Sequence, residues 1–224
     1  MIDLPSSIRE IKTQLRLAMN GKASTSMRER GLVYKVNFGV ELPRIKQIAS
    51  QFEKNHDLAQ ALWKENIREC KILAGMLQPV DTFFPEIMDI WIEAMPTVEI
   101  AEMTSMHLFQ YLPYAPQKSL QLIASEGEYQ QICGFLTIAR LLTQKNDMTE
   151  RAENELLDQA VVSFIGGSYA VRKAVMTALR KYMSDNEKHA FVICRLVEPM
   201  KSDSDPQARA LAEWVTQEVT NFFS

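Results

Sequence analysis

The sequence predicts an all-α protein, an α-α superhelix (solenoid) of stacked helix pairs, and three observations predict it. Apolar residues recur at three- and four-residue intervals along most of the chain, which is the spacing of one helix face. Only 8 Gly and 9 Pro occur in 224 residues, too few for the turns of an all-β protein. The prolines also fall where helices start or stop.

The first helix carries Ile8, Ile11 and Leu15 on one face, with Ser6 or Ser7 placed to cap it. Residues 20–40 hold Gly21, Gly31 and Gly39 and read as a looser stretch. Pro43 lies in the first turn of the next helix, whose inner face is Ile45, Ile48, Ala49 and Phe52. Leu58, Leu62 and Trp63 mark a short helix, and 67–76 another. Pro85 starts a helix bearing Ile87, Ile90 and Trp91, which stops at Met95-Pro96. The segment 97–111 sets Ile100, Met103 and His107 on one stripe, and Pro113 and Pro116 punctuate its end. A short helix over 117–125 precedes a long one over 128–145 with Ile132, Phe135, Ile138, Leu141 and Leu142. Leu156, Ala160, Val161 and Phe164 lie on the next, ended by Gly166-Gly167. Helices over 168–183, 186–198 and 206–223 complete the chain, and Leu211, Val215, Val219 and Phe222 face inward on the last. The helices recur in pairs about every 35 to 45 residues, the period of degenerate HEAT-like repeats. No linker is long enough to separate two domains, so residues 1–224 read as one.

Composition narrows the function classes. The 46% apolar and 24% charged content is that of an ordinary globular protein, and no stretch reaches the ~18–20 apolar residues of a membrane span. The N-terminus lacks the basic and apolar regions of a signal peptide, so a cytoplasmic protein with no membrane partner is expected. Cys70, Cys133 and Cys194 form no CxxC pair, and His56, His107 and His189 form no HxxxH spacing. Neither a metal nor another cofactor is expected, and the thiols read as free and buried. Trp63, Trp91 and Trp214 sit at apolar helix positions and read as core.

The net charge of −3 conceals an uneven distribution. Residues 1–54 carry 10 basic against 5 acidic side chains, and residues 169–195 carry 6 against 2. Between them, residues 55–168 carry 7 against 16. Two basic regions flanking an acidic middle permit an anionic partner.

Three segments carry a resemblance. Asn37-Phe-Gly-Val-Glu-Leu-Pro-Arg-Ile-Lys-Gln-Ile-Ala49 has a glycine-valine, then a proline, then a basic helix. Ala61-Leu-Trp-Lys-Glu-Asn-Ile-Arg-Glu-Cys-Lys-Ile-Leu-Ala74 has Leu-Trp followed by a helix containing Glu. Tyr169-Ala-Val-Arg-Lys-Ala-Val-Met-Thr-Ala-Leu-Arg-Lys-Tyr182 has lysine-alanine, then leucine-arginine and an aromatic. Together they resemble the HEAT-like-repeat DNA alkylation repair family, the AlkD-like DNA glycosylases, over nearly the whole chain. The resemblance implies excision of bulky or cationic alkylated bases from duplex DNA on the concave face of the array. It also implies an aspartate with a tryptophan four residues before it, an arginine on a later helix, and a second tryptophan on the lysine-alanine helix. Carried over, the aspartate falls on Glu102, the first tryptophan on Val98, the arginine near Gln131 and the second tryptophan on Thr177.

Those substitutions bear on chemistry. A cationic base leaves through an oxocarbenium-like state that a nearby carboxylate stabilises, and flanking aromatic faces add about 0.5–2 kcal/mol each. Val98 and Thr177 supply neither a ring nor a charge, while Glu102 keeps the charge on a longer side chain. With Glu99 three residues earlier, Glu102 reads either as part of a solvated acidic face or as an altered catalytic carboxylate. Lys173, Thr177, Arg180 and Lys181 share one arc of a helix and read as a phosphate-facing stripe or as a solvated face. Arg44, Lys46, Arg68 and Lys71 read more as a solvated face than as a second such stripe.

Three functions follow. The first is a family member that binds duplex DNA, damaged or bent, through backbone contacts, with base excision absent or much reduced. The second is a scaffold for a protein partner, and the third an active alkylpurine glycosylase using Glu102.

Overall fold

In a computed structural model of the chain, which describes residues 3–145 and 148–223, the expected all-α architecture is present. Thirteen α-helices and three short 3-10 turns account for the regular structure, and no strand occurs among the described residues. The chain divides into two compact units, 1–112 and 113–224, with no linker between them.

The first unit holds α1 (Leu4–Leu17), α2 (Gly21–Glu29), α3 (Leu42–Ala49), α4 (His56–Lys64), α5 (Arg68–Leu77), α6 (Pro85–Glu93) and α7 (Val98–His107). Pro5, Pro43 and Pro85 all sit in the first turn of their helices, where a missing N–H costs nothing. Asp3, not Ser6 or Ser7, precedes α1, because the helix starts a turn earlier than its apolar pattern. The stretch 20–40 contains a helix that apolar periodicity does not reveal. α2 has only Ala23 and Met27 as apolar side chains and is held at its start by the Asn20 side chain, which accepts from the Ala23 N–H at 3.1 Å.

The core of this unit forms around α5, of whose ten residues nine are buried. It packs against α3, α4 and α7. Trp63 and Trp91 stack face to face at 4.0 Å and 1°, and Phe83 meets Trp91 edge-on at 4.9 Å, so these two tryptophans are core as expected, whereas Trp214 on the last helix is only half-buried.

Three charged residues lie inside this core, where the solvated face expected for Arg68 and Lys71 cannot form. Arg68 and Lys71 are only 5% and 8% exposed, and Glu69 is fully buried. The Arg68 guanidinium donates to Glu99 on α7 at 2.7–3.1 Å, to Glu69 at 3.2 Å and to the Val40 carbonyl at 3.1 Å. Glu69 in turn accepts from the backbone N–H groups of Phe38 and Val40, both at 3.2 Å. One ion-pair cluster therefore ties α5, α7 and the 36–40 loop together. Tyr34 closes it by donating its hydroxyl proton to Glu99.

Burial alone would raise the Glu99 pKa, but the bonds from Arg68 and Tyr34 outweigh it and hold the carboxyl below its ordinary range. Lys71 has no carboxylate partner among the described residues. It donates to the Trp63 carbonyl at 2.6 Å and stands over the Trp63 ring at 4.7 Å, and burial lowers its pKa. Gly39 makes the loop possible. Its φ is +70°, and an added Cβ would lie 2.2 Å from the Asn20 carbonyl oxygen.

The second unit holds α8 (Ala115–Ile123), α9 (Glu128–Thr143), α10 (Glu150–Gly166), α11 (Tyr169–Asp185), α12 (Glu187–Val197) and α13 (Pro206–Phe223). α9 is its axis. Residues 132–139 are buried without interruption, and the helix packs on α8 on one side and α11 on another. Gly134 allows the α8 contact, since a Cβ there would meet the Ser119 carbonyl oxygen at 2.9 Å and the Ile123 side chain at 2.7 Å. On α13, Leu211 and Val215 face inward as expected, but Val219 is half-buried and Phe222 is 37% exposed because the helix end passes beyond the core.

The cysteines are free, with Cys70 and Cys133 buried and Cys194 half-buried. Burial pushes the Cys70 thiol up to about 12 and that of Cys133 higher still.

Replacing Arg68 with Met leaves the buried Glu69 and the half-buried Glu99 without their counter-charge. The expected loss is about 3–5 kcal/mol of unfolding free energy, read from urea unfolding midpoints. Because the folded pKa of Glu99 is depressed, its contribution to stability is present above the ordinary carboxylate range and is lost as pH falls through the folded value. The stability gap between the parent and Glu99→Gln should accordingly shrink toward acid pH in melts taken across that range.

Candidate nucleic-acid interface

The basic residues singled out near the C-terminal end converge on one helix. Ser168 starts α11 by accepting from the Val171 N–H at 3.3 Å. From there the sequence alternates an apolar inner face with a polar outer one. Val171, Ala174, Val175, Ala178, Leu179 and Tyr182 are buried, which fixes the helix's rotation on the core. The outer face is left to Tyr169, Lys173, Thr177, Arg180 and Lys181, all exposed.

These side chains differ in how committed they are. Arg180 donates two bonds to Glu218 on α13, at 2.9 and 2.6 Å, and lies 5.8 Å over the Trp214 ring. Those bonds hold the Glu218 carboxyl below its ordinary range. The Arg180 charge is thus compensated within the protein. Thr177 turns its hydroxyl back onto the Lys173 carbonyl at 2.8 Å, in the usual manner of a helical threonine. Among the described residues, neither Lys173 nor Lys181 has a carboxylate within salt-bridge distance. The Lys173 ammonium stands 5.9 Å from the centre of the Tyr169 ring. Two unneutralised cations therefore flank one neutralised arginine, and an aromatic ring lies at each end of the group.

Gln131, in the same unit, is half-buried at the start of α9. Its amide donates to the Ser125 carbonyl at 2.7 Å and braces the turn between α8 and α9. In the first unit, Val98 is the first residue of α7 and half-buried, and Glu102, one turn later, is exposed. Thr97 caps this helix by accepting from the Ile100 N–H at 3.3 Å. The acidic face expected of Glu99 and Glu102 is split. Glu99 turns inward to Arg68, and Glu102 alone of the two is outside.

Sequence reasoning missed Tyr169, which is 72% exposed, and the pairing of Arg180 with Glu218. The first had a signal, since Tyr169 precedes Lys173 by four residues on the same helix face. The second had none, since the partners lie 38 residues apart.

A cleft of about 490 Å³ between α8, α9 and α10 is lined by Leu120, Ile138, Leu141, Arg151 and Glu155 and includes none of the expected site residues. An open, basic and partly aromatic helix face suits an extended polyanion better than a small molecule.

Three comparisons place the chain among known proteins. The family model described as DNA alkylation repair enzyme matches residues 11–192. No curated protein matches. A solved structure, described as a new family of proteins related to the HEAT-like repeat DNA glycosylases with affinity for branched DNA structures, is similar at a TM-score of 0.79. That likeness covers 98% of this chain and 95% of the other at 16% sequence identity, and it bears on the fold. The helical-repeat fold and the family resemblance expected from the sequence are both borne out.

Proposed function

This chain belongs to the DNA alkylation repair enzyme family, and we propose that it binds duplex DNA through backbone contacts made by α11, with little or no base excision. The observation that carries the reading is the pair of exposed lysines, Lys173 and Lys181, standing without carboxylate partners on a helix rigidly seated on α9. Such cations neutralise phosphates and release counterions, which gives affinity without sequence preference. The solved relative is described as having affinity for branched DNA structures. Extended to this chain, that supports recognition of the shape of the DNA.

Support for reduced excision comes from the side chains themselves. Val98 and Thr177 present no aromatic face, the Gln131 amide is spent on a turn, and Glu102 is an exposed carboxylate. A charge in water stabilises a developing cation far less than one held in a water-excluded site. No described helix is long and apolar enough to cross a membrane, and we place the protein's work in the cytoplasm.

Fluorescence anisotropy of labelled duplex at two salt concentrations tests the reading. Binding should weaken steeply with salt. Lys173→Ala and Lys181→Ala should each weaken it on all sequences and reduce the slope of log affinity against log salt by about 1. Glu218→Gln releases Arg180 and should strengthen binding. Absence of binding at low salt would transfer the chain to the protein-scaffold reading. A base-release assay on alkylated duplex should detect little product from the parent, and robust release abolished by Glu102→Gln would overturn the proposed loss of excision.

A further inference from the structure

Phosphate binding requires only cations, yet the outer face of α11 begins with an aromatic ring. Tyr169 is 72% exposed, in a unit whose other large aromatic on this helix, Tyr182, is buried. From Tyr169 to Lys181 the face runs twelve residues, about 18 Å along the helix axis and within an arc of about 120°. Along it one exposed ring is followed by cations, one of which lies over a half-buried ring of α13. Lys173 lies over Tyr169, and Arg180 lies over Trp214. Interleaved rings and cations are the surface that single strands use, because every base has a face to stack and every link a phosphate to neutralise.

The surroundings of Tyr169 separate its role from that of the lysines. Ser168, its neighbour at the head of the helix, donates its hydroxyl proton to Glu128, so a carboxylate lies at this end of the face. The Tyr169 ring is uncharged, so what it offers at this end of the face is a stacking surface for a neutral base rather than a charge for a phosphate. In intact duplex DNA the base faces are already stacked on one another and the ring has nothing to cover. Where a strand is unpaired, at a branch, a gap or an end, the ring finds an open base.

We propose that Tyr169 is a stacking platform for an unpaired base, and that it lets the chain distinguish DNA containing unpaired nucleotides from continuous duplex. This rests on the DNA-binding reading above and assigns it a preferred substrate class. Tyr169 supplies stacking, Lys173 and Lys181 supply phosphate neutralisation, and the two contributions are separable because only the second depends on salt.

The test uses the full chain and two labelled DNAs of equal length, one fully paired and one a fork with unpaired arms. The parent should bind the fork more tightly. Tyr169→Ala should weaken fork binding by about tenfold, leave duplex binding within about twofold, and leave the salt slope of both unchanged. Tyr169→Phe, which keeps the ring, should restore fork binding, and circular dichroism melts should show all three proteins equally folded. Equal binding of the fork by parent and Tyr169→Ala would overturn the inference while leaving the lysine contacts intact. An equal loss on fork and duplex would also overturn it, since the ring would then be acting on paired DNA. A parent that binds neither DNA ends the DNA-binding reading and this inference together.

Discussion

A guanidinium taken out of water must find acceptors for its N–H groups in several directions at once, and Arg68 finds them on three different pieces of chain. Glu99 comes from α7, Glu69 from α5 itself, and the Val40 carbonyl from the loop that precedes α3. Because leaving any one unmade costs the full desolvation of a buried polar group, the cluster forms as a unit or not at all. It fixes where the 36–40 loop lies and which face α7 turns inward. Glu99 and Glu102, three residues apart on this helix, share a broad face, and the cluster draws only Glu99 inward while Glu102 stays exposed.

The second unit uses charge differently. Its interior is apolar along α9, and its cations stay on the outer face of α11, where water solvates them at little cost. Of the three basic side chains on that arc, one is already paired. The Arg180–Glu218 fork lowers the net positive charge of the face and ties α11 to α13, so the remaining lysines stand on a surface braced from both sides.

The fold was legible because its helices are amphipathic and its prolines sit in first turns. Twelve of the thirteen helices announce themselves through an apolar stripe. α2 does not, since from Gly21 to Glu29 only Ala23 and Met27 are apolar and only Ser24 is buried. The candidate site was legible in part. Four-residue spacing places Lys173, Thr177 and Lys181 on one face, but it cannot tell an exposed cation from a buried one. Arg68 and Lys71 have the same local spacing as a solvated stripe, and what buries them is tertiary. Their partners lie on other elements, 31 residues away for Arg68 with Glu99 and eight for Lys71 with Trp63. No period in the sequence encodes those distances.

The depth of the cysteines has a consequence for a protein of this family. The agents that alkylate DNA bases are electrophiles, and the most reactive nucleophile a protein ordinarily offers them is a thiolate. Cys70 and Cys133 are sealed in the two cores and held protonated far above neutral pH, and burial raises the pKa of Cys194 as well. Cys70 and Cys133 are therefore shielded from such electrophiles by the cores themselves, and Cys194 is the half-buried thiol left nearest to them.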